Sequence, residues 1–580
     1  MDAEQPLEPV ARVTKPSKPN KRAGESSVPM LQSTCNTPQP TLQLPTLPST
    51  APYVRIDQPT VHPNPQDARE GASCPDHDGS PHRTYLGNTG YMDMFSNPVG
   101  WQVTPPNPLR LNCSSELEGV PEDLLDSYVE TYFEYASVWC PVFDRGVILE
   151  RALLASVFIQ NAFAFCGTRL RPPLIAHAEP ELHYQRAKSL LYGNCESNPL
   201  LQIIGVMLFW WGSPGYPNVA GLDTGRWWLG VAIRLAEEIG LHQTSVKVET
   251  HFAETPGLRK RIWWTLLTRD RILSMAQGRP CLIHPDYCNV PKVTVADFPD
   301  PADSKALIFV HWVSLWEIGG SLHRELYCSR GGSAGKSAVH DKMISWIKSL
   351  PQPLHLPFAT ARTTVFDRDV HCLHLSYLTI LIVLYLSRRD HSLPAASLPA
   401  IAAASCIARI LRDYLARGSV QFVLPQATWS IALAILALLH ARHIPGLGAY
   451  ATEDIKTLNT ALTKLAQFSY PGKLFSHGIE NLLNKKESAM VFDSQTPVSS
   501  PMTDHHFLPP TTVSVDTGTR WMELFPYISP HTSPLIAALL SIGGGKIVDC
   551  QLSEQGTPMS PLLQDIVSES LDFFQIHLVI

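Results

Sequence analysis

Two adjacent stretches decide the fold: Trp227-Trp228-Leu229-Gly230-Val231-Ala232-Ile233-Arg234-Leu235-Ala236-Glu237-Glu238-Ile239-Gly240-Leu241-His242, and Arg259-Lys260-Arg261-Ile262-Trp263-Trp264-Thr265-Leu266-Leu267-Thr268-Arg269-Asp270-Arg271-Ile272-Leu273-Ser274-Met275-Ala276-Gln277-Gly278-Arg279-Pro280. In the first, Trp228, Val231, Ala232, Leu235 and Ile239 recur at helical spacing and predict one apolar stripe. Gly240 stands where a left-handed residue closes a last turn. Gly230 and Ala232 are small, which predicts close approach by another helix. In the second, Ile262, Trp263, Leu266, Leu267 and either Ile272 or Leu273 form the apolar face. Gly278-Arg279-Pro280 ends it, because proline removes a donor and biases the residue before it away from helix. Asp270 falls on or beside the buried stripe. A buried carboxylate needs a partner, and Arg234, Arg271 and Arg279 are the candidates. Such a group is either catalytic or half of an ion pair that fixes helix register; the ion pair is the reading taken here.

Helical periodicity extends outward from this centre. Pro121-Glu122-Asp123-Leu124-Leu125 opens a helix, with acids in the first turn where the dipole favours them. Leu125, Tyr128, Val129, Tyr132 and Phe133 follow at helical spacing, and the segment closes in Trp139-Cys140-Pro141-Val142-Phe143-Asp144. Further helical patterns cover 147–166, 181–192, 198–212, 305–328, 338–349, 367–387, 395–416 and 427–444. No sustained period-two alternation and no hairpin signal appears. The expected fold is all-α, a multi-helix domain flanked by disordered segments. The expected organisation is a disordered Pro/Ser/Thr-rich segment at 1–115, a helical domain at 116–475, a linker at 476–520 and an apolar, acidic C-terminal segment at 521–580.

These patterns together resemble the fungal-specific transcription factor domain, the helical middle homology region of fungal zinc-cluster regulators. Its likeness is carried most sharply by Trp227, Trp228, Arg234, Gly240, His242, Arg261, Trp263, Trp264, Asp270, Arg271, Gly278, Arg279 and Pro280, and extends over roughly 120–470. Tyr184-Gln185-Arg186-Ala187-Lys188-Ser189-Leu190-Leu191 and Leu375-Ser376-Tyr377 fit the same pattern. Arg269-Asp270-Arg271 with the His311-Trp312-x-x-Leu315-Trp316 helix is similar to regulators of the cutinase-activator type. The resemblance implies a nuclear transcription regulator, not an enzyme, acting on metabolic or secondary-metabolite genes. Family members usually carry a cysteine cluster that binds two zincs and places a short helix in the major groove. These 580 residues contain no Cys-x-x-Cys, so no DNA-reading residue is carried over.

Composition agrees with that absence. The net charge is −6, with 44% hydrophobic and 17% charged residues, which is not the basic balance of a nucleic-acid-binding surface. The 12 cysteines are scattered, which suits reduced core residues better than a structural zinc site. No signal peptide is expected. The most apolar run, Leu373 to Leu386, falls short of the ~20 residues that span a bilayer and predicts a core helix, so no membrane association is expected. His371-Cys372-Leu373-His374 and His440-Ala441-Arg442-His443 pair histidines without further ligands. Ile542-Gly543-Gly544-Gly545-Lys546 lacks the spacing of a phosphate loop. No catalytic residue, metal site or cofactor is expected.

Three readings of the whole follow. The leading one is a regulator without its own reader, acting through a DNA-binding partner or homologous transcription factor, with dimerisation and a coactivator contact as further expectations. The second is a truncated zinc-cluster factor. The third is a helical enzyme or ligand-binding protein.

The ends add two expectations. Residues 1–110 hold 19 prolines and one basic stretch, Arg12, Lys15, Lys18, Lys21 and Arg22, which reads either as a nuclear-localisation patch or as an ordinary solvated charge run. Near the other end, Leu562, Leu563, Ile566, Val567, Leu571, Phe573 and Phe574 interleave with Asp565, Glu569 and Asp572. This is either an activation segment whose acids keep its apolar face solvated or a last helix docked on the domain. Fusing residues 553–580 to a foreign DNA-binding domain separates the two. A free activation segment drives a reporter and loses that on Phe573→Ala with Phe574→Ala, whereas a docked helix gives no reporter signal.

Overall fold

A computed structural model of the chain describes residues 119–146, 155–193, 195–196, 198–244, 255–328, 333–358, 360–389, 392–493 and 520–544. All of them lie in one unit, 78–580. The segment 1–115, with Lys15, Lys18, Lys21 and Arg22, and the amphipathic stretch 553–580 lie outside the described residues.

Among the described residues there are fourteen α-helices and one two-stranded hairpin. The first six are α1 (Glu122–Thr131), α2 (Val157–Leu170), α3 (Pro180–Tyr192), α4 (Pro199–Leu208), α5 (Gly225–Glu238) and α6 (Pro256–Gln277). Next come α7 (Ser304–Cys328), α8 (Ser333–Ser349), α9 (Arg368–Tyr385), the strands β1 (Leu386–Arg389) and β2 (Ser392–Ala396), and α10 (Leu398–Ala416). The series ends with α11 (Ala427–Ala441), α12 (Gly448–Ala466), α13 (Tyr470–Asp493) and α14 (Pro534–Gly544). The helix starts follow local chemistry. Thr224, Thr255 and Asn198 accept a first-turn N–H on their side chains, and Pro256 and Pro199 occupy first-turn positions where no donor is lost.

The helices form two groups. In one, α1 packs on α2, α2 on α3 and α4, α4 on α5, and α5 on α6. In the other, α9 to α13 pack on one another, with α11 buried along nearly its whole length. Helix α7 joins them, lying against α6 on one side and α9 on the other. Its Trp312 and Trp316 are fully buried, and the Trp312 ring meets Trp139 edge-on at 5.3 Å. One apolar cluster runs through both groups, from Val120 to Leu539. Helix α9, which holds the most apolar run of the sequence, is buried core. No described helix is long and apolar enough to cross a membrane.

Three features depart from the sequence expectation. The hairpin pairs Leu386 with Ala396 and Ser387 with Ala395, where no hairpin was expected. Its strands are too short to show alternation, and tertiary contacts hold them: β2 lies on α11, and the Ala396 N–H donates to His440 Nδ1 at 3.3 Å. Second, α13 carries helix to Asp493, past the expected boundary at 475. Third, 520–544 is not separate from the helical domain. Trp521, Leu524, Phe525 and Leu535 enter its core, Tyr377 Oη donates to the Leu524 carbonyl at 2.8 Å, and Arg409 Nη1 to the Thr532 carbonyl at 2.8 Å. These contacts join residues more than a hundred positions apart, which no local period can report.

A buried polar joint seats that last segment. Ser405 Oγ on α10 donates to Asp454 Oδ2 on α12 at 2.6 Å and lies 2.7 Å from Ser533 Oγ, the residue before α14. Arg412 stands 3.7 Å from the other carboxylate oxygen. Burial pushes the Asp454 carboxyl up to about 6, against the pull of Ser405 and Arg412. An acid whose pKa is raised in the fold contributes stability that is present below its unfolded value, ~3.9, and lost as pH rises through about 6. Asp454→Asn, which mimics the protonated acid, is expected to gain on wild type by ~2 kcal/mol between pH 4 and pH 7.5. Urea unfolding at the two pH values measures it; an unchanged difference between the proteins refutes the burial argument.

Candidate functional site

Helix α6 is the axis of the candidate site. It was expected to bury one face, yet every residue from Arg261 to Ile272 is buried, as are Ser274 to Gln277. Each buried polar group on it therefore needs a local partner. Thr265 and Thr268 donate back to the carbonyls of Arg261 and Trp264, at 2.6 and 2.7 Å. Arg261 donates to Asp144 Oδ1 at 2.7 Å, tying the helix to the loop after α1. Trp264 Nε1 donates to the Pro291 carbonyl at 2.9 Å, and Trp263 is fully buried with its ring 5.9 Å from His242.

Asp270 is fully buried and gathers five hydrogen bonds. Arg271 Nη1 donates to Oδ2 at 2.8 Å. The Leu282 N–H reaches both oxygens at 2.9 and 3.0 Å, the Ile283 N–H reaches Oδ2 at 3.0 Å, and Ser274 Oγ lies 3.3 Å from Oδ1. Burial pushes this carboxyl up from its ordinary value; Arg271, the two backbone N–H groups and nearby Arg226 oppose that. Arg271 closes the loop by donating through Nη2 to the Ile283 carbonyl at 3.0 Å. Its stem fills the space over Gly320 on α7, where an added Cβ would sit 2.7 Å from Arg271 Cδ. Thus one carboxylate and one guanidinium pin the chain that leaves α6.

The other motif residues take distinct places. Of the three candidate partners of Asp270, only Arg271 pairs with it. Arg234 is largely exposed and pairs with Glu237 at 2.8 Å. Arg279 is half-buried, its guanidinium pulled down to about 10 by burial and by Arg226, and its carbonyl accepts from His323 Nε2 at 2.8 Å. Pro280 is exposed, and its carbonyl accepts from Arg226 Nη2 at 2.7 Å. Gly278 and Gly240 both have positive φ, 58° and 69°, and both close helices; the Leu241 N–H reaches back to the Ala236 carbonyl at 2.8 Å.

Helix α5 is rotated from its expected face. Trp228, Leu229, Ala232, Ile233 and Ala236 are buried, whereas Val231, Leu235 and Ile239 are only partly so. Gly230 meets only a Leu282 methyl at 3.9 Å, so no helix approaches it closely. Trp227 is exposed and donates to Tyr192 Oη at 3.1 Å. Trp228 Nε1 donates to Tyr184 Oη at 2.7 Å, and that hydroxyl in turn donates to Asp223, which also pairs with Lys188 at 2.6 Å.

Sequence spacing assigned no role to Asp144, Arg226 or Arg269. Arg269 lies seven residues after Ile262 and three after Leu266, the same placement on an apolar face that singled out Asp270. Its guanidinium is buried, donates through Nη1 to the Met207 carbonyl at 2.7 Å, and lies over Trp210 at 4.1 Å and Trp211 at 5.3 Å. Elsewhere the paired histidines of α9 bond backbone: His371 Nδ1 is 2.5 Å from the Asp367 carbonyl and His374 Nε2 is 2.7 Å from that of Leu354. Among the described residues, no three His, Cys, Asp or Glu side chains are grouped to hold a metal, and the eight described cysteines are free thiols.

Residues 129–311, which enclose this network, match the fungal specific transcription factor domain. The chain is similar to cutinase transcription factor 1 alpha of Fusarium vanettenii, 24% identical over 408 residues, covering 63% of this chain and 44% of the relative. It is also similar to the acetamidase regulatory protein of Aspergillus oryzae, 24% identical over 279 residues, with 46% and 35% covered. A third relative is cutinase transcription factor 1 beta of Fusarium vanettenii, 26% identical over 228 residues, with 36% and 25% covered. The chain thus spans less than half the length of these curated relatives. No solved structure matches it.

Both signature helices of the domain are tied by Asp270 and its neighbours into one buried block. Removing one partner of a buried pair typically costs ~3–5 kcal/mol. Asp270→Ala is expected to lower the melting temperature and cellular abundance together. An Asp270→Ala protein of wild-type stability that has lost activity argues instead for a functional carboxylate.

Proposed function

We propose that this chain is a nuclear transcription regulator whose helical domain works by binding, not catalysis. The match of residues 129–311 to the fungal specific transcription factor domain carries the reading. Relatives whose names concern cutinase and acetamidase support a role in metabolic gene control. The engagement of Asp270 and Arg271 with each other and with the backbone of the loop after α6 supports a structural role for the motif. The signature residues are then a scaffold that fixes how α5, α6 and α7 pack.

DNA is reached through a partner in this reading, either a homologous transcription factor or a separate DNA-binding protein. A net charge of −6, far from the basic balance of a nucleic-acid-binding surface, supports that. Metabolic or secondary-metabolite genes are the expected targets, with a coactivator contact as the output.

Chromatin immunoprecipitation of the tagged protein, paired with expression profiling of a deletion strain, tests the reading. The expected result is occupancy at promoters whose transcripts change on deletion. The purified chain alone is expected to give no specific shift on those promoters at physiological salt. Absence of both promoter occupancy and transcript change rejects a transcriptional role, and nanomolar binding by the purified chain rejects the partner requirement.

A further inference from the structure

Helix α5 turns one long face outward. Trp227, Gly230, Val231, Arg234, Glu237 and Glu238 share it, at the three- and four-residue spacing along which helices pack on one another. None of the six is buried. Trp227 keeps 40% of its surface exposed. Two apolar side chains flank the face: Tyr192 of α3, 53% exposed and bonded to the Trp227 indole, and Leu282 of the loop after α6, 39% exposed with a methyl beside Gly230. Single exposed apolar residues are ordinary on a surface, but a contiguous run of them marks an interaction face.

The centre of the face is bare. A Cβ added at Gly230 would meet only the Leu282 methyl, at 3.9 Å, so the packing around it leaves room for a side chain. A mid-helix glycine weakens its own helix relative to alanine; what it permits is close approach by a second helix. The two ends of the face differ in charge. Arg226 lies at the start of α5, with Lys188 beside it holding Asp223, and Glu237 and Glu238 lie at its end. An antiparallel pair of these helices sets the basic start of each against the acidic end of the other and opposes their dipoles, whereas a parallel pair sets like against like. A two-fold axis between Gly230 and Val231 also leaves Trp227 and Arg234 equally far from it, on opposite sides. The largely exposed Arg234 guanidinium of one copy then meets the exposed Trp227 ring of the other, and symmetry makes that contact twice.

We propose that this face is a dimer interface between two copies of this chain, with α5 packed antiparallel on α5 across a two-fold axis at Gly230. The 14 residues of α5 span about 21 Å. With Tyr192 and Leu282 at its flanks, the contact falls at the small end of specific interfaces, and the dimer is reversible. The inference stands apart from the transcriptional reading, because association is measured on the purified chain without DNA.

Sedimentation velocity of the 580-residue chain from about 1 to about 100 μM, where a reversible contact of this size assembles, tests it. Wild type is expected to pass from monomer to dimer. Gly230→Gln is expected to weaken the dimer by at least about tenfold, because its side chain holds the helices apart. Its melting temperature at low concentration is expected to match or exceed wild type, since the site has room for a Cβ. Trp227→Ala and Arg234→Ala are each expected to weaken the dimer by about tenfold, and the double variant by little more than either, because the two act in one contact. Val365→Ala, at an exposed site before α9 in the other helical group, is expected to leave the dimer unchanged. A wild type that stays monomeric throughout overturns the proposal. So does a dimer that Gly230→Gln leaves intact, a loss from Val365→Ala equal to that from Trp227→Ala, or losses from Trp227→Ala and Arg234→Ala that simply add. Gly230→Gln decides the matter if Trp227→Ala does not fold.

Discussion

The carboxylate of Asp270 is the constraint on which the centre of this molecule depends. It sits on a helix with no exposed face between Arg261 and Ile272, so water cannot solvate it. Two backbone N–H groups of the exit loop and the Arg271 guanidinium take the place of water. The arrangement is reciprocal: the carboxylate satisfies loop donors that would otherwise be buried unpaired, and the loop lowers the cost of the buried charge. Because Arg271 also packs its stem over Gly320, the same pair sets how closely α7 approaches α6.

From that contact the rest of the architecture follows in layers. Helix α7 faces α6 on one side and α9 on the other, so the geometry fixed at Asp270 passes to the second helical group through one element. In that second group α11 carries no Asp, Glu, Lys or Arg. Helix α11 is apolar nearly all round and is buried nearly all round, so hydrophobic burial and close packing hold it. Polar specificity returns at the Ser405–Asp454–Ser533 joint, where the segment 520–544 is seated.

Arg269 is the counterexample that makes Asp270 informative. The two residues are neighbours on one buried helix, yet one is ringed by donors while the other faces indoles and neutral thiols. The helical period cannot distinguish them, since both fall on apolar faces by spacing. What separates them is the identity of groups brought in from α4 and from the exit loop.

The sequence by itself determined that this chain is helical, where most of the helices lie, and that 227–280 is its centre. Apolar residues at a 3.6-residue period, a capping glycine at 240 and another at 278 are local signals, and local physics reads them. It also determined the family likeness, through motif residues whose order along the chain is enough. Tertiary structure alone decided which face α5 buries, which arginine meets Asp270, and that 520–544 belongs to the core. It also decided that Leu386–Ala396 forms a hairpin against α11. Arg261 finds Asp144 across 117 positions, and Tyr377 finds Leu524 across 147. Such pairings depend on where whole helices come to rest, and that is set by packing of the complete core, not by the period of any one segment.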